Sequence, residues 1–424
     1  MSKRTIIQNA FSLGVVQLVN LGLPLISLPY LATVLGVEQI GRVAFALSVE
    51  KILVILTDYG FNLSATKAIS VNRNNPQKVA EIWCTVTLIR ALLALAGITC
   101  LGFSALAFER ARSEIGLFTA AYAMVIGNVL FPQWLFQGLE KLKAISLVQV
   151  AARIIVFAAL FALVKNSNDI YWATFLQASG FLLGGILAIP HTYTALKGGQ
   201  ILWPSRSAIN TQLKEGWNVF LSSAAINIYT TCNAFFLGMI ATPATIGQYH
   251  VAEKLIRAVQ SLYGPISNAI YPHVSRLATG EPITVLLFNR KLIIIMGGIA
   301  STISLAVYVT APYAINMIFG SSYSPASEIL QIFAWLPLII VISNILGIQT
   351  MLPLGMETAF SRVLLCAAMF NFLVFIPSVY LFEAVGAAWA NVAIEIFATL
   401  MMLAVLQSKN LNPLKFDRHK IEIK

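Results

Sequence analysis

Long apolar runs alternate with short polar segments along the whole chain. A helix that crosses a bilayer needs about 20 mainly apolar residues, and twelve runs reach about that length. The pattern therefore predicts transmembrane helices, and the predicted spans cover residues 10–34, 43–64, 82–108, 115–137, 145–164, 170–195, 217–240, 249–271, 290–318, 328–349, 360–382 and 385–406.

Composition supports a chain whose main solvent is lipid. The 424 residues are 58% apolar and only 11% charged, whereas soluble domains carry about a quarter charged residues. We therefore predict an all-α integral membrane protein, with twelve transmembrane helices in two six-helix lobes around a central cavity.

The formal net charge of +11 is explained by membrane topology. If the N-terminus is cytoplasmic, nineteen of the 28 Lys and Arg residues fall in the inner segments or within three residues of their ends, and four fall in the outer loops. This bias follows the positive-inside rule and predicts a multi-pass membrane protein with both termini cytoplasmic. It leaves no basic excess that would indicate a nucleic-acid partner. The remaining five cations lie inside spans, and they are Lys51, Arg90, Arg153, Lys254 and Arg257.

A polar segment near the middle of the chain predicts its domain organisation. Residues 196–216 contain Gly, Pro, Ser and charged residues that are typical of a linker. The predicted parts are an N-terminal lobe (1–195), a cytoplasmic linker (196–216), a C-terminal lobe (217–406) and a cytoplasmic tail (407–424). The two lobes have the same orientation, because a six-helix unit returns to the side on which it started.

A weak internal repeat relates the two lobes. The stretch "IGRVAFALSVEK" ends at Lys51 and "IGQYHVAEKLIR" ends at Arg257, with Lys254 three residues before it on the same helical face. A charge at the bilayer centre costs at least about 2.5–3.5 kcal/mol, and such residues usually face a bundle interior or a wet cavity. We therefore expect Lys51, Lys254 and Arg257 to line a cationic central cavity.

Two interpretations of the intramembrane charges stay open. Local ion pairing is one, but the adjacent residues Glu50 and Lys51 do not face each other on a helix. For Arg90 and Arg153 a cavity position and snorkelling toward a span end are equally compatible with the sequence. The acidic residues that are candidates for binding a coupling proton or cation are Glu50, Asp58 and Glu253.

The sequence indicates no catalytic or metal site. It contains no H-E-x-x-H, P-loop or G-x-S-x-G motif. Its four cysteines form no C-x-x-C pair, and its four histidines are far apart. We therefore predict a transporter without a cofactor or metal, and not an enzyme.

Several motifs resemble those of the Wzx-type polysaccharide flippases. They are "DYGFNLSATK" (Asp58 to Lys67), "FPQWLFQGLEKLK" (Phe131 to Lys143), "IGQYHVAEKL" (Ile246 to Leu255) and "FGSSYSPA" (Phe319 to Ala326), in the expected order over nearly the whole chain. The resemblance places the chain in the superfamily that includes multidrug exporters and the lipid II flippase. It implies transport of an undecaprenyl-pyrophosphate-linked oligosaccharide, the O-antigen repeat unit, from the cytoplasmic to the periplasmic leaflet of the bacterial inner (cytoplasmic) membrane.

The same resemblance implies a set of substrate-binding cations. Lys51 matches the second-helix element of the lipid II flippase, and Lys254 and Arg257 match its eighth-helix element. The first helix departs from the pattern with Gln17 and Asn20, and Arg90 and Arg153 are candidates to replace its cation. The implied partners are the lipid-linked glycan, membrane lipids, a polysaccharide polymerase and a chain-length regulator.

Three rival functions predict other features. A multidrug exporter of the same fold would favour carboxylates and aromatic residues in its cavity. A membrane-embedded polymerase or glycosyltransferase would need a large external loop or a catalytic carboxylate motif, and the sequence indicates neither. A structural scaffold would leave the intramembrane cations without a role.

Overall fold

A computed structural model describes residues 3–200, 202–231 and 233–414. The regular secondary structure of these residues is helical, and short turns and loops connect the helices. Apolar solvent offers the backbone no hydrogen bonds, so helices that satisfy their own amides are the expected form of spanning segments. The helices are α1 (Lys3–Asp58), α2 (Phe61–Val71), α3 (Pro76–Ala107), α4 (Glu109–Ala121), α5 (Ala123–Leu130), α6 (Gln133–Gly138), α7 (Leu142–Leu163), α8 (Ile170–Ala178), α9 (Gly180–Ala195), α10 (Arg206–Thr231), α11 (Asn233–Ile240), α12 (Pro243–Ser261), α13 (Tyr263–Leu277), α14 (Pro282–Phe319), α15 (Pro325–Phe333), α16 (Leu336–Leu346) and α17 (Glu357–Ser408), with 3-10 turns at Ser167–Asp169 and Ser321–Tyr323 and a π-helical turn at Gly347–Met351.

These helices confirm the predicted all-α membrane fold. Within the described residues six helical stretches are long and apolar enough to cross a bilayer, and a pair bent by 44° between Ala178 and Gly180 makes a seventh. All twelve predicted spans fall on helices. Two of the helices carry two predicted spans each, because α1 is interrupted at Gly36 (φ 80°) and α17 at Glu383 (φ 47°).

Contacts between loops sort the helix ends into two sides. On one side Arg73 pairs with Glu140, so the second-to-third and fourth-to-fifth loops meet. On the other side Arg42 pairs with Glu114, and the Tyr30 hydroxyl donates to the Val164 carbonyl. These contacts agree with the alternation of the predicted inner and outer segments.

The chain forms two compact units, Met1–Phe235 and Phe236–Lys424. This division does not coincide with the predicted linker at 196–216, because α10 packs against α2 and α3 and so belongs to the first unit. The close approach depends on Gly60, which has a φ of 74° and where a Cβ would lie 2.8 Å from the Phe220 nitrogen.

The first unit is held by a core that joins α2, α3, α6 and α7. Phe61, Val79, Trp134 and Ile145 are buried together there. The motif that contains Trp134 therefore contributes packing, as its place at the end of the fourth predicted span leads one to expect. This core fixes the ends of the helices that carry the charged residues discussed next.

Candidate functional site

Glu50 is the most enclosed charged residue among the described residues of the first unit. Its side chain is 0% exposed, and neither carboxyl oxygen has a hydrogen-bond partner within the described part of the chain. Tyr122 lies close enough to interact with it electrostatically, but the Tyr122 hydroxyl donates to the Ala94 carbonyl. A carboxylate in such surroundings is costly, so a neutral, protonated Glu50 suits this position better than an ionised one.

Lys51 follows Glu50 on α1 and is exposed on the surface of the first unit. Consecutive residues of a helix point about 100° apart, so Glu50 and Lys51 occupy different faces. The two charged residues are adjacent in the sequence but differ in environment, because Glu50 is enclosed and Lys51 is exposed.

Arg90 and Asp58 form an ion pair inside the first unit. The Arg90 Nη2 atom lies 3.1 Å from Asp58 Oδ1, and the Arg90 side chain is 1% exposed. Because α1 ends at Asp58, the pair ties this helix end to α3. The enclosure does not favour the predicted contact of Arg90 with a ligand, and it assigns Asp58 a partner that the sequence did not identify.

Arg153 lies on α7 with its guanidinium over the ring of Phe181, 5.0 Å from the ring centroid. This is cation–π geometry, which stabilises a cation that is partly removed from water. The side chain is partly exposed, so both a structural contact and a contact with an anion are compatible with its position.

In the second unit Arg257 pairs with Glu253 one turn earlier on α12. The distance from Glu253 Oε1 is 2.8 Å to Arg257 Nη2 and 2.9 Å to Nε. The Arg257 side chain is 49% exposed, and Lys254 is partly exposed beside it. The pair has the i,i+4 spacing that is favoured on a helix.

The predicted cations are divided between the two units. The first unit contains Lys51, Arg90 and Arg153, whereas the second contains Lys254 and Arg257. Their meeting in one cavity stays a prediction. The side chains of Gln17 and Asn20 lie outside the described residues.

The first unit also contains a polar cavity of about 610 Å³ between α2, α3 and α10. Its lining combines lysine, glutamate, hydroxyl and amide groups with apolar side chains. The sequence does not predict it, because residues 196–216 have the composition of a linker. The signal that was available is the run of polar residues in "SRSAINTQ" at the start of α10.

The second unit contains a buried network of neutral amides. Gln349 Nε2 donates to the Ser267 carbonyl (2.8 Å), and Asn289 Nδ2 donates to the Gln349 carbonyl (2.7 Å). The Ser267 hydroxyl donates to Asn344 Oδ1 (2.7 Å). Gln349 lies in the π-helical turn, and such turns free backbone groups for other partners. The sequence shows Gln349 as a polar residue at the end of an apolar run, but no periodicity reveals the turn.

Three comparisons relate the chain to known proteins. The family model described as "Polysaccharide biosynthesis protein" matches residues 6–278. A "Putative O-antigen transporter" of Escherichia coli (strain K12) is 30% identical over 410 residues, which cover 97% of this chain and 99% of that protein. A protein of Shigella dysenteriae with the same description is 32% identical over 402 residues, which cover 94% of this chain and all of that protein.

A solved structure shares the fold. The lipid II flippase MurJ, in an inward closed conformation, superposes with a TM-score of 0.71 over 95% of this chain and 87% of that one. The sequence identity is 11%, so the comparison establishes the helix arrangement and nothing finer.

Proposed function

Because the chain belongs to the family of polysaccharide biosynthesis proteins, as a Wzx-type flippase, we propose that it moves an undecaprenyl-pyrophosphate-linked O-antigen repeat unit from the cytoplasmic to the periplasmic leaflet. The observation that carries this proposal is the match over 97% of the chain to a relative described as an O-antigen transporter. The proposed place is the bacterial inner membrane, with both termini cytoplasmic. A polysaccharide polymerase and a chain-length regulator are the proposed partners.

The proposed substrate explains why accessible cations are useful here. A pyrophosphate and a glycan are both polar, and neither crosses hydrocarbon cheaply. Lys51 and Arg257 are each exposed on their own unit, so an anion can reach both side chains. We assign pyrophosphate contacts to Lys51, Lys254 and Arg257, and a supporting contact to Arg153. Arg90 has a positioning role in this proposal, because its guanidinium is enclosed with Asp58.

Transport also needs a source of energy. An inside-negative potential moves an anionic head outward and contributes about 2.3 kcal/mol per charge per 100 mV. Among the three acidic candidates Glu50 is best suited to carry a coupling proton, because Asp58 and Glu253 already pair with arginines. Glu50 is buried and accepts no hydrogen bond from the described residues. In this proposal its protonated form is the neutral carboxylic acid, which releases the proton when water enters its surroundings.

The test is surface display of polysaccharide in a strain that lacks its own flippase. The parent chain restores display, and Lys51→Ala and Arg257→Ala each reduce it at least tenfold at matched protein level. The control is Arg112→Ala, since Arg112 is an exposed cation outside the spans whose guanidinium donates to the backbone carbonyls of Ala105 and Leu106. A parent chain that restores no display in the strain from which its glycan comes overturns the function. Alanine variants that display like the parent overturn the cation assignment alone.

A further inference from the structure

The polar cavity of the first unit is separate from the cations assigned to the pyrophosphate. Its walls come from α2, α3 and α10, and its volume of about 610 Å³ lies within the range of about 300–1,000 Å³ that small-ligand sites occupy. None of Lys51, Arg90 and Arg153 lines it. The cavity is therefore a candidate for a binding site that is distinct from the proposed pyrophosphate contacts.

The charges of this lining are balanced. Among the described lining residues Lys67 and Lys78 are matched by Glu81 and Glu215, and Lys78 Nζ lies 2.9 Å from Glu81 Oε2. A site for a polyanion would show an excess of cations, and a site for a cationic drug would show an excess of carboxylates. The balanced set instead suits a ligand that donates and accepts hydrogen bonds without a large charge.

Gln212 indicates what the ligand must offer. This residue of α10 lines the cavity and is 7% exposed. Its Oε1 atom accepts no hydrogen bond from any residue that the structure describes. A buried acceptor without a donor costs about 1–3 kcal/mol, so the position favours a ligand with a hydroxyl or amine group that reaches Oε1.

The start of α10 does not compete for the same role. Ser205 caps the helix, since its hydroxyl accepts a hydrogen bond of 3.1 Å from the Ala208 amide. Thr211 donates its own hydroxyl proton to the Ser207 carbonyl at 2.9 Å, which leaves its oxygen as an acceptor toward the cavity. Acceptors of this kind match the hydroxyl donors of a ligand.

Apolar side chains complete the lining. Leu63, Ile82 and Val219 lie among the polar groups. A sugar ring has this combined character, because its hydroxyls form hydrogen bonds at the edge while its C–H groups form an apolar face. Lys67 and Lys78 belong to segments that the positive-inside rule assigns to the cytoplasm, which is the side on which the proposed substrate is loaded.

We propose that this cavity binds sugar residues of the lipid-linked glycan before transport, with Gln212 and Glu215 accepting hydrogen bonds from sugar hydroxyls. The inference rests on the proposed function, since it names a glycan subsite for the same substrate. It adds a contact on the sugar to the contacts on the pyrophosphate, and it makes the first unit a reader of glycan structure.

The experiment measures protection of a single cysteine in the purified full chain in nanodiscs. Ser207→Cys is introduced into a variant whose four cysteines are replaced and which still restores surface display. The probe is lipid-linked oligosaccharide extracted from an O-antigen-producing strain, and undecaprenyl pyrophosphate without sugar is the comparison ligand. Asn210→Cys is the matched control, because Asn210 is exposed on the same helix but does not line the cavity.

The glycan-bearing lipid slows maleimide labelling of Ser207→Cys at least fivefold, and it leaves labelling of Asn210→Cys unchanged. Undecaprenyl pyrophosphate gives no such protection. Gln212→Leu, in the same background, removes most of the protection while the protein stays folded and labels at the unprotected rate. Asn210→Leu keeps the protection.

Three results would overturn the inference. One is labelling of Ser207→Cys at the same rate with and without the glycan-bearing lipid. Another is equal protection by undecaprenyl pyrophosphate, which would identify a carrier-lipid site. The third is protection that survives both Gln212→Leu and Glu215→Gln. Each result leaves the proposed function intact as long as the parent chain restores display, so the two failures are distinguishable.

Discussion

The helix segments 40–51 and 246–257 have similar burial but different buried chemistry. Ile40 and Ile246 are both buried at the start, and the closing cations Lys51 and Arg257 are both exposed on their units. One residue before those cations, Glu50 is 0% exposed and Ile256 is 1% exposed. The corresponding positions of the two segments are therefore enclosed to a similar degree. At the same position the first unit has the carboxyl group of Glu50 and the second has the aliphatic side chain of Ile256.

This difference extends to the rest of each unit. The first unit encloses Glu50 and the Arg90–Asp58 pair, whereas the second encloses neutral amides such as Asn289 and Gln349. Burying a charge without good partners is more costly than burying a hydrogen-bonded amide. The first unit therefore retains charges that packing alone would remove, which is what is expected of groups that are kept for function.

The largest effect is expected from breaking the buried pair of the first unit. Asp58→Ala lowers the free energy of unfolding by about 3–5 kcal/mol, because it leaves the buried Arg90 charge without its partner. The corresponding change in the second unit, Glu253→Ala, costs about 1 kcal/mol or less, since Arg257 is half exposed. Unfolding of the purified proteins in detergent measures both.

A double variant checks the cause of that effect. Asp58→Leu combined with Arg90→Met removes both charges and recovers most of the lost stability. Equal losses for Asp58→Ala and Glu253→Ala would contradict the distinction between an enclosed pair and a half-exposed one.

The second prediction exchanges the residues that the repeat aligns. Ile256→Glu lowers stability by about 2.5–3.5 kcal/mol, the cost of an ionisable group at the centre of a span. Glu50→Ile keeps or raises stability, because it removes a carboxylate without hydrogen-bond partners in the described part of the chain, but it reduces surface display at least tenfold.

Glu50→Gln separates charge from shape in this exchange. The variant keeps the size of the side chain and loses the proton, so its display falls like that of Glu50→Ile if Glu50 couples transport. Normal display from both variants would show that transport does not require Glu50 and that its buried carboxyl group is not a coupling site.

The helices were predictable because one property, the length of each apolar segment, decides where they lie. Apolar length decides which segments cross a bilayer, and all twelve predicted spans fall on helices. The breaks at Gly36 and Glu383 lie between predicted spans for the same reason. The π-helical turn at Gly347–Met351 was not predictable, because its hydrogen bonding depends on partners from α13 and α14.

The contacts of the candidate residues were only partly predictable. The sequence predicted Arg90 and Asp58 as charges within spans, but it did not pair them, because the two residues are 32 positions apart and such pairings depend on how helices pack. The polar cavity was missed because its walls combine α10 with two helices that lie far earlier in the chain. Long-range packing, and not local propensity, decided both cases.

The third prediction concerns the two exposed cations that the repeat aligns. Lys51→Arg keeps most of the surface display, because attraction between a point charge and a phosphate tolerates either cation. Arg257→Lys loses several-fold more, since the guanidinium engages Glu253 through Nε and Nη2 and an ammonium cannot reproduce that fork while it also contacts an anion. Display at matched protein level is the measurement, and equal tolerance of both exchanges would contradict a bidentate role for Arg257.

The smallest effects are expected at the predicted outer ends of the same two helix segments. In the first unit Arg42 holds Glu114 through Nε (2.8 Å) and Nη2 (3.1 Å). In the second unit the Thr245 hydroxyl donates to Glu383 Oε2 at 3.0 Å. Glu114→Gln and Thr245→Val each lower stability by about 1 kcal/mol. Only the first loss shrinks in 1 M salt, because screening weakens an ion pair more than a hydrogen bond from a neutral hydroxyl. Unfolding of each variant and the parent at low and high salt gives the comparison, and equal salt dependence would show that the two ends are held by the same kind of interaction.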